Sequence, residues 1–442
     1  MQPKSDPSIP DSGVAITINE GDEIFVPVTK KRSVFCSWAA FHPSNLIANM
    51  GTETSRRLIH GAKVGFALVV VSLLYMLEVV HDKLGDNAMW AVMTVVVVFE
   101  FSSGATISKG VNRAIGTTLG GGLGCSVALL AQQVGGTGKA ITIGTSVFFI
   151  SAAATYTRLQ PKIKKRYDYG FLIFILTFNL VAVSGVRGEE IWRVATDRLS
   201  SIMMGITICY FISLFVLPVW ASDELHKSIV SKFDKLANSI EGCMEDYFKS
   251  DGKKDTKASS NLGGCMSVIY SKTADEALAN FAIWEPWHGR FGYGYPYKKC
   301  LRILELLREL AASTLSLQSC LKSKLQPSLL STRAAETCQM ISEMLVFMLR
   351  ELGEDIFNMR MCRPHDTVAV RIQSLKTELA TAVSASNLST LVGVNSTMRD
   401  GLSVASFVFV FMEVLDKVEV ISKEVEELGK LARFEQRELM LH

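Results

Sequence analysis

The sequence predicts an all-α membrane protein, with six transmembrane helices followed by a cytosolic helical domain. Three observations carry that prediction. Long apolar segments crowd between Leu58 and Trp220, and the uncharged runs 114–138, 140–157, 169–186 and 199–222 each come near the ~20 residues a helix needs to cross a bilayer's hydrocarbon. Isolated basic residues stand at the ends of these runs. Beyond Trp220 the apolar residues recur at three to four residues, which is the spacing of amphipathic helices.

Taken in order, residues 1–55 hold Pro, Ser, Asp and Gly without periodicity and read as a largely disordered cytosolic segment. No basic stretch precedes an apolar core there, so a cleaved secretory signal is not expected. A transmembrane domain is expected over 56–221. Its first span covers 58–80 and contains Lys63 and Glu78; a second covers 88–108, interrupted by Glu100. The others are expected at 111–134, 139–157, 169–186 and 192–220. In the third, Gly116, Gly120 and Gly124 recur every four residues, which places them on one helix face and allows close backbone approach. A phosphate-cradling loop fits less well, because the run matches neither GxGxxG nor GxxxxGK[ST].

After Trp220, Leu225, Ile229, Leu236, Ile240, Cys243 and Tyr247 define an amphipathic helix, and a polar linker follows at 249–261. Further helical patterns lie at 264–283, 298–323, 328–353, 366–387 and 403–433. The last shows a continuous stripe from Val404 through Phe407, Phe411 and Val418 to Leu428. Residues 222–442 are therefore expected to form the cytosolic helical domain.

Orientation follows from the loops. Arg56, Arg57, Lys109, Arg113, Arg158, Lys162, Lys164, Lys165, Arg166, Lys227 and Lys232 lie near one set of span ends, against Lys83, Lys139, Arg187 and Arg193 near the other. The positive-inside rule puts the richer set, and with it both termini, in the cytosol.

Composition narrows the function classes. The formal net charge is +3, with 19 Lys/Arg against 14 Asp/Glu before Ala221. The membrane half carries that basic excess, and no basic stripe of the kind nucleic-acid binders need is present. The nine cysteines form neither a CxxC pair nor a His/Cys cluster at zinc spacing, and read as reduced, partly buried thiols. No nucleophile–base pair or metal constellation supports an enzyme, and no motif asks for a cofactor.

Charge inside a membrane is costly enough to need a use or a partner. Lys63 lies roughly 7–8 Å inside the first span at 1.5 Å per residue, where it either snorkels to the interface or serves an anion path. Arg113 opens the third span from the same side, one turn after Lys109, for which simple anchoring is the plainer reading. Arg187 and Arg198 form a matching outer pair, with Asp197, Glu189 and Glu190 close by as alternative ion-pair partners. Basic residues near both mouths suit a conduit that attracts anions at each end, and the planar two-pronged guanidinium suits carboxylates. Glu100 needs a basic partner or water; a structural salt bridge is weighed against a gating role. Trp90 and Trp192 sit where interfacial aromatic belts are expected. Asp82, Asp86, Glu189 and Glu190 offer hard oxygen ligands on the outer face, although solvated surface acids are the plainer reading.

The stretch from Met89 to Phe101, continuing through Gly104–Gly110 and Asn112-Arg113, resembles the plant aluminium-activated malate transporters. So do Tyr167–Gly170, Ser184–Arg187, Pro218–Ala221 with Asp223–His226, and Trp284-Glu285-Pro286 within Phe281–Gly289. The resemblance spans roughly Arg56 to Phe434. It implies a homodimer, with six spans per subunit around an anion pathway and a helical cytosolic domain. It also implies that Lys63, Glu100, Arg113 and Arg187 match conduction-related charges, and that Arg198 matches a basic family position. The signature reads Trp-Glu-Pro-Trp where Trp-Glu-Pro-Pro is commoner. A broader similarity to bacterial aromatic-acid exporters keeps a carrier mechanism in view.

The expected function is a passive anion channel for malate and related anions, in the plasma membrane first and the vacuolar membrane second. The alternative is a proton-coupled or facilitated carrier in which Glu100 handles protons. A membrane-anchored interaction protein is a third class. Pro286 is expected to end the helix begun near Gly264, with the aromatic cluster through Tyr297 packing the domain; a gating role for Trp284, Glu285 and Pro286 is the sharper alternative.

Overall fold

Lipid offers the backbone no water to bond to, so a chain this apolar must satisfy its N–H and C=O groups within helices. The computed structural model describes residues 52–77, 88–184, 191–248, 257–288, 291, 295–323, 332–391 and 398–434. Among these residues are 13 helices and no strand. By its contacts the chain divides inside the first helix, into a unit up to Ala62 and a second unit, Lys63–His442. The contacts below belong to the second unit.

The apolar helices come first: α1 (Thr52–Met76), α2 (Ala88–Val98), α3 (Ser103–Val134), α4 (Gly136–Leu159), α5 (Pro161–Ser184) and α6 (Ile191–Phe215). All but α2 are long and apolar enough to cross a bilayer, giving five such helices among the described residues. The protein is a multi-pass membrane protein. The α2 helix has 11 residues, about 16 Å at 1.5 Å per residue, or half the hydrocarbon thickness.

The expected boundary between the second and third spans is corrected here. Residues 103–108, expected to close the span begun at Ala88, belong instead to the single 32-residue α3. The break has a local cause. Ser102 caps α3, its side chain accepting from Ala105 N at 3.3 Å. The hydroxyl of Thr106 meanwhile engages both backbone groups of Glu100, at 3.0 and 3.3 Å. A side chain that competes for backbone bonds in this way ends the helical ladder.

Two registers fix the bundle. A Cβ placed on Gly116 would lie 2.5 Å from the carbonyl oxygen of Gly170, and one on Gly120 would lie 2.6 Å from that of Phe174. On Gly124 it would meet Phe178 O at 3.1 Å. The separation along the two chains is constant, so α3 and α5 run parallel, and the glycine stripe serves close helix packing. Against α6 the order reverses: Ser103 Oγ donates to Ser213 O at 2.9 Å and Tyr210 Oη to Ile107 O at 3.0 Å. The chain turns between α3 and α4 at Gly135 and Gly136, whose φ values of 66° and 52° are cheap only for glycine. It turns again at Gln160, with Pro161 at the first position of α5.

Seven amphipathic helices follow: α7 (Ala221–Phe248), α8 (Lys257–Tyr270), α9 (Lys272–Ala282), α10 (Tyr297–Ser323), α11 (Thr332–Phe357), α12 (His365–Leu391) and α13 (Met398–Ala432). The expected stripes face one core, in which Leu225, Ile229, Leu236, Ile240, Phe407, Phe411 and Val418 are buried. The helix expected over 264–283 is two, broken at Ser271, and α9 ends at Ala282 before Pro286 is reached. Among the described residues eight cysteines are free, and all but Cys320 are buried. Burial raises the Cys300 and Cys338 thiols to about 12, keeping them protonated and unreactive.

Charge is also buried in this core. Lys232 Nζ meets Asp275 at 2.8 Å, and Arg308 reaches the same carboxylate at 3.3 Å. Ser228 and Ser271 donate to Asp275 as well, at 3.1 and 2.9 Å. Desolvation pushes the Lys232 ammonium down, while the Asp275 carboxylate pulls it back up.

Candidate functional site

A cavity of about 210 Å³ opens between α2, α3, α5 and α6, lined by Trp90, Arg113, Thr117, Thr177, Arg198 and neighbouring aliphatic side chains. That volume holds several waters. Arg113 comes from α3 and is only 6% exposed. Its Nη1 donates to Tyr169 Oη at 3.2 Å, whereas its Nε has no hydrogen-bond partner among the described residues. Arg198 comes from α6, with its guanidinium 5.1 Å from the centre of the Trp90 ring and its Nε and Nη1 without a partner among the described residues. Continuing the α3–α6 register puts Arg198 level with Thr118, about 8 Å along the axis from Arg113. The sequence suggests one arginine at each mouth; the fold brings both to a single cavity.

Buried guanidinium nitrogens without acceptors cost free energy, about 1–3 kcal/mol for each unsatisfied group and more where the group is charged. Two like charges sharing apolar walls add repulsion. An anion entering between them answers both costs, supplying acceptors to the free N–H groups and a countercharge to the pair. The cation–π contact with Trp90 offsets part of the charge of Arg198 without using its hydrogen-bond donors.

The other basic positions are placed differently. Lys63 is 6% exposed and donates to Leu217 O at 2.5 Å, at the exit of α6, where Leu217 has a φ of 46°. There it bonds a carbonyl released by the end of the helix. Lys109 pairs with Glu100 and lies 5.9 Å from the centre of the Tyr169 ring. Neither Lys63, Lys109 nor Glu100 lines the Arg113–Arg198 cavity. Arg187 lies outside the described residues, as do Asp82, Asp86, Glu189 and Glu190.

Trp284, Glu285 and Pro286 form a joint between the two sets of helices. The side chain of Glu285 accepts from Ala221 N, from Ser222 N at 3.1 Å and from Ser222 Oγ at 2.6 Å, capping the start of α7 with a carboxylate. A Cβ on Gly104 would lie 2.4 Å from Phe281 O and 2.9 Å from Glu285 Cγ, so the start of α3 fits against the same turn. The Trp284 ring lies 5.0 Å from the Arg166 guanidinium. His288 accepts or donates at Ser222 Oγ (3.0 Å), bonds Pro286 O through Nδ1 (2.8 Å), and stacks on Trp220 at 3.8 Å. Burial raises the Glu285 carboxyl above its ordinary range, with the bonds from Ser222 and Ala221 and nearby His288 pulling it back.

Residues 48–401 match the family model described as aluminium activated malate transporter. The chain belongs to that family. Aluminum-activated malate transporter 12 of Arabidopsis thaliana is 40% identical over 354 residues, covering 77% of this chain and 63% of the relative. Aluminum-activated malate transporter 2 of the same plant is 39% identical, covering 88% of this chain and 77% of its own length. Aluminum-activated malate transporter 1 of Triticum aestivum is 36% identical over 409 residues, 89% of this chain and 86% of the relative. The chain spans 63% of the length of the first two Arabidopsis relatives it matches, numbers 12 and 14. The family is one of transporters and not of enzymes.

No local sequence feature marks Trp90 or Tyr169 as part of the site. Trp90 has the position of an interfacial belt residue, and only its placement under Arg198 gives it another role. Tyr169 lies in the motif Tyr167–Gly170, whose Gly170 packs on α3 beside Asn112.

Proposed function

We propose that this protein is a passive anion channel that conducts malate and related organic or inorganic anions, working as a homodimer. In this reading the transmembrane block runs to residue 221 with six spans, and residues 222–442 form a cytosolic domain. Both termini are cytosolic, and the host is the plasma membrane, with the vacuolar membrane second. The observation that carries the reading is the shared cavity of Arg113 and Arg198, with three guanidinium nitrogens free of partners among the described residues. A dicarboxylate is drawn to the inner basic cluster of Lys63 and Arg113, passes Arg198 and leaves near Arg187. Lys109 is held by Glu100 and contributes to the field without contacting the ion. The relatives' names, as malate transporters, support the choice of anion.

The coupled-carrier alternative needs Glu100 to exchange protons with the transport path. Its pairing with Lys109, away from the two arginines, favours the channel. Single-channel recording from reconstituted protein with malate, nitrate, sulfate and chloride exchanged in turn tests the choice. Resolved unitary openings are expected. Slow, saturable, proton-coupled flux would replace the channel reading with the carrier.

A further inference from the structure

The corner between α4 and α5 carries more positive charge than its acids neutralise. Arg158, Lys162, Lys164, Lys165 and Arg166 fall within nine residues. Arg158 grips Asp168 through Nε and Nη2, at 2.7 and 3.1 Å, and Lys165 meets Glu276 at 2.9 Å. Five cations face two carboxylates. Arg166 lies 5.5 Å from the Tyr167 ring centre and 5.0 Å from that of Trp284, with aromatic faces in place of an acid. Lys162 and Lys164 are exposed and, among the described residues, have no ion-pair partner.

Large apolar side chains are exposed as well. Leu159, at the end of α4, is 65% exposed and Trp287 is 70% exposed. Trp287 belongs to the short turn in which Trp284 touches Arg166 and His288 stacks on Trp220. That turn therefore sits where α5 begins and α6 has just ended, at the edge of the apolar helices. Uncompensated lysines on the helix whose Arg166 meets the turn that carries an exposed indole are suited to the headgroup layer of a bilayer, where phosphate meets the ammonium groups and the ring takes the interface. The site is an open corner without enclosing walls. A soluble anion gains little there, whereas a lipid phosphate is already concentrated in the plane of the surface.

We propose that the α4–α5 corner docks the phosphate-bearing headgroup of an anionic lipid, with the exposed ammonium groups of Lys162 and Lys164 supplying the positive field and Trp287 seated in the interfacial layer. The inference rests on the membrane-spanning fold and is independent of which solute crosses. Because Lys165 and Arg166 tie the corner to Glu276 and Trp284, the bound headgroup lies against the joint between the two sets of helices.

The test uses full-length protein in detergent micelles, titrated with a short-chain phosphatidylinositol phosphate and followed by native mass spectrometry. Saturable binding is expected. The double variant K162Q/K164Q should weaken it about thirtyfold, at about 1 kcal/mol per lysine near a charged surface; W287A should weaken it severalfold. K423Q, an exposed lysine on α13, should leave it unchanged, and unaltered melting of each variant shows that it is folded. Undiminished binding by the double variant overturns the proposal. So does short-chain phosphatidylcholine binding as well as the anionic lipid, or inorganic phosphate competing at equal concentration, which would assign the corner to a soluble anion.

Discussion

Replacing Glu285 by alanine removes the acceptor that closes the start of α7. Two of the bonds it takes come from Ala221 N and Ser222 N, among the first N–H groups of a helix, which have no intrahelical partner. Both bonds are buried, as is the third, from Ser222 Oγ. Losing an N-cap costs about 1 kcal/mol, and each buried donor left unpaired costs about 1–3 kcal/mol. Water entering the space reduces the sum, so a net loss of about 3 kcal/mol is expected. At about 3 °C per kcal/mol for a helical domain of this size, the melting temperature should fall by about 9 °C. Fluorescence-detected size-exclusion chromatography after graded heating measures this on unpurified protein. The glutamine variant should fall less, since its carbonyl still accepts while its amide faces donors. Glu285 also leaves a pH signature. A carboxyl held above its ordinary value stabilises the fold fully only below about pH 4.5, and that contribution is lost as pH rises through the raised value. The glutamine variant should lack this slope. If E285A melts within 2 °C of the parent, the cap is not holding the joint and the reasoning fails.

Other outcomes follow from neighbouring observations. R113Q should lower malate current about tenfold or more at unchanged surface expression, because a buried hydrogen bond to a charged group is worth about 1.5–3 kcal/mol; patch-clamp recording beside a surface-labelling assay checks it, and an unchanged current removes Arg113 from the pathway. D275A strands Lys232 and Arg308 without their carboxylate and should destabilise the helical domain by about 3–5 kcal/mol, seen as a large drop in melting temperature. G120A places a methyl 2.6 Å from the Phe174 carbonyl oxygen and should abolish the monodisperse chromatographic peak. G122A, with nothing within 4 Å of its Cβ, should leave that peak intact.

Much of this architecture was legible in the sequence for simple reasons. Helix periodicity and the absence of charge over about twenty residues are local properties, so most of the spans and the faces of α7 and α13 could be read directly. The glycine stripe of α3 announced close packing because only small residues allow helix backbones to approach. The start of α3 is hidden in the sequence because apolarity continues across it, and the break depends on two hydroxyls, Ser102 and Thr106, taking backbone bonds that a hydropathy pattern does not register. The site was legible as a set of basic residues but not as an arrangement. Arg113 and Arg198 are 85 positions apart in the chain, and nothing local says that one cavity receives both.

Local pattern along the chain is enough to require several membrane crossings, a shared apolar core for the remaining helices, and neighbours for a handful of cations. Which of those cations are spoken for depends on the folded arrangement of helices. Lys63 is held by a carbonyl, Lys109 by Glu100, and Asp275 holds Lys232 and Arg308, while Arg113 and Arg198 keep free donors in a common space. The physical reason is that the free energy of a charge in low dielectric is set by what lies within a few ångströms of it, and helices far apart in sequence supply those neighbours.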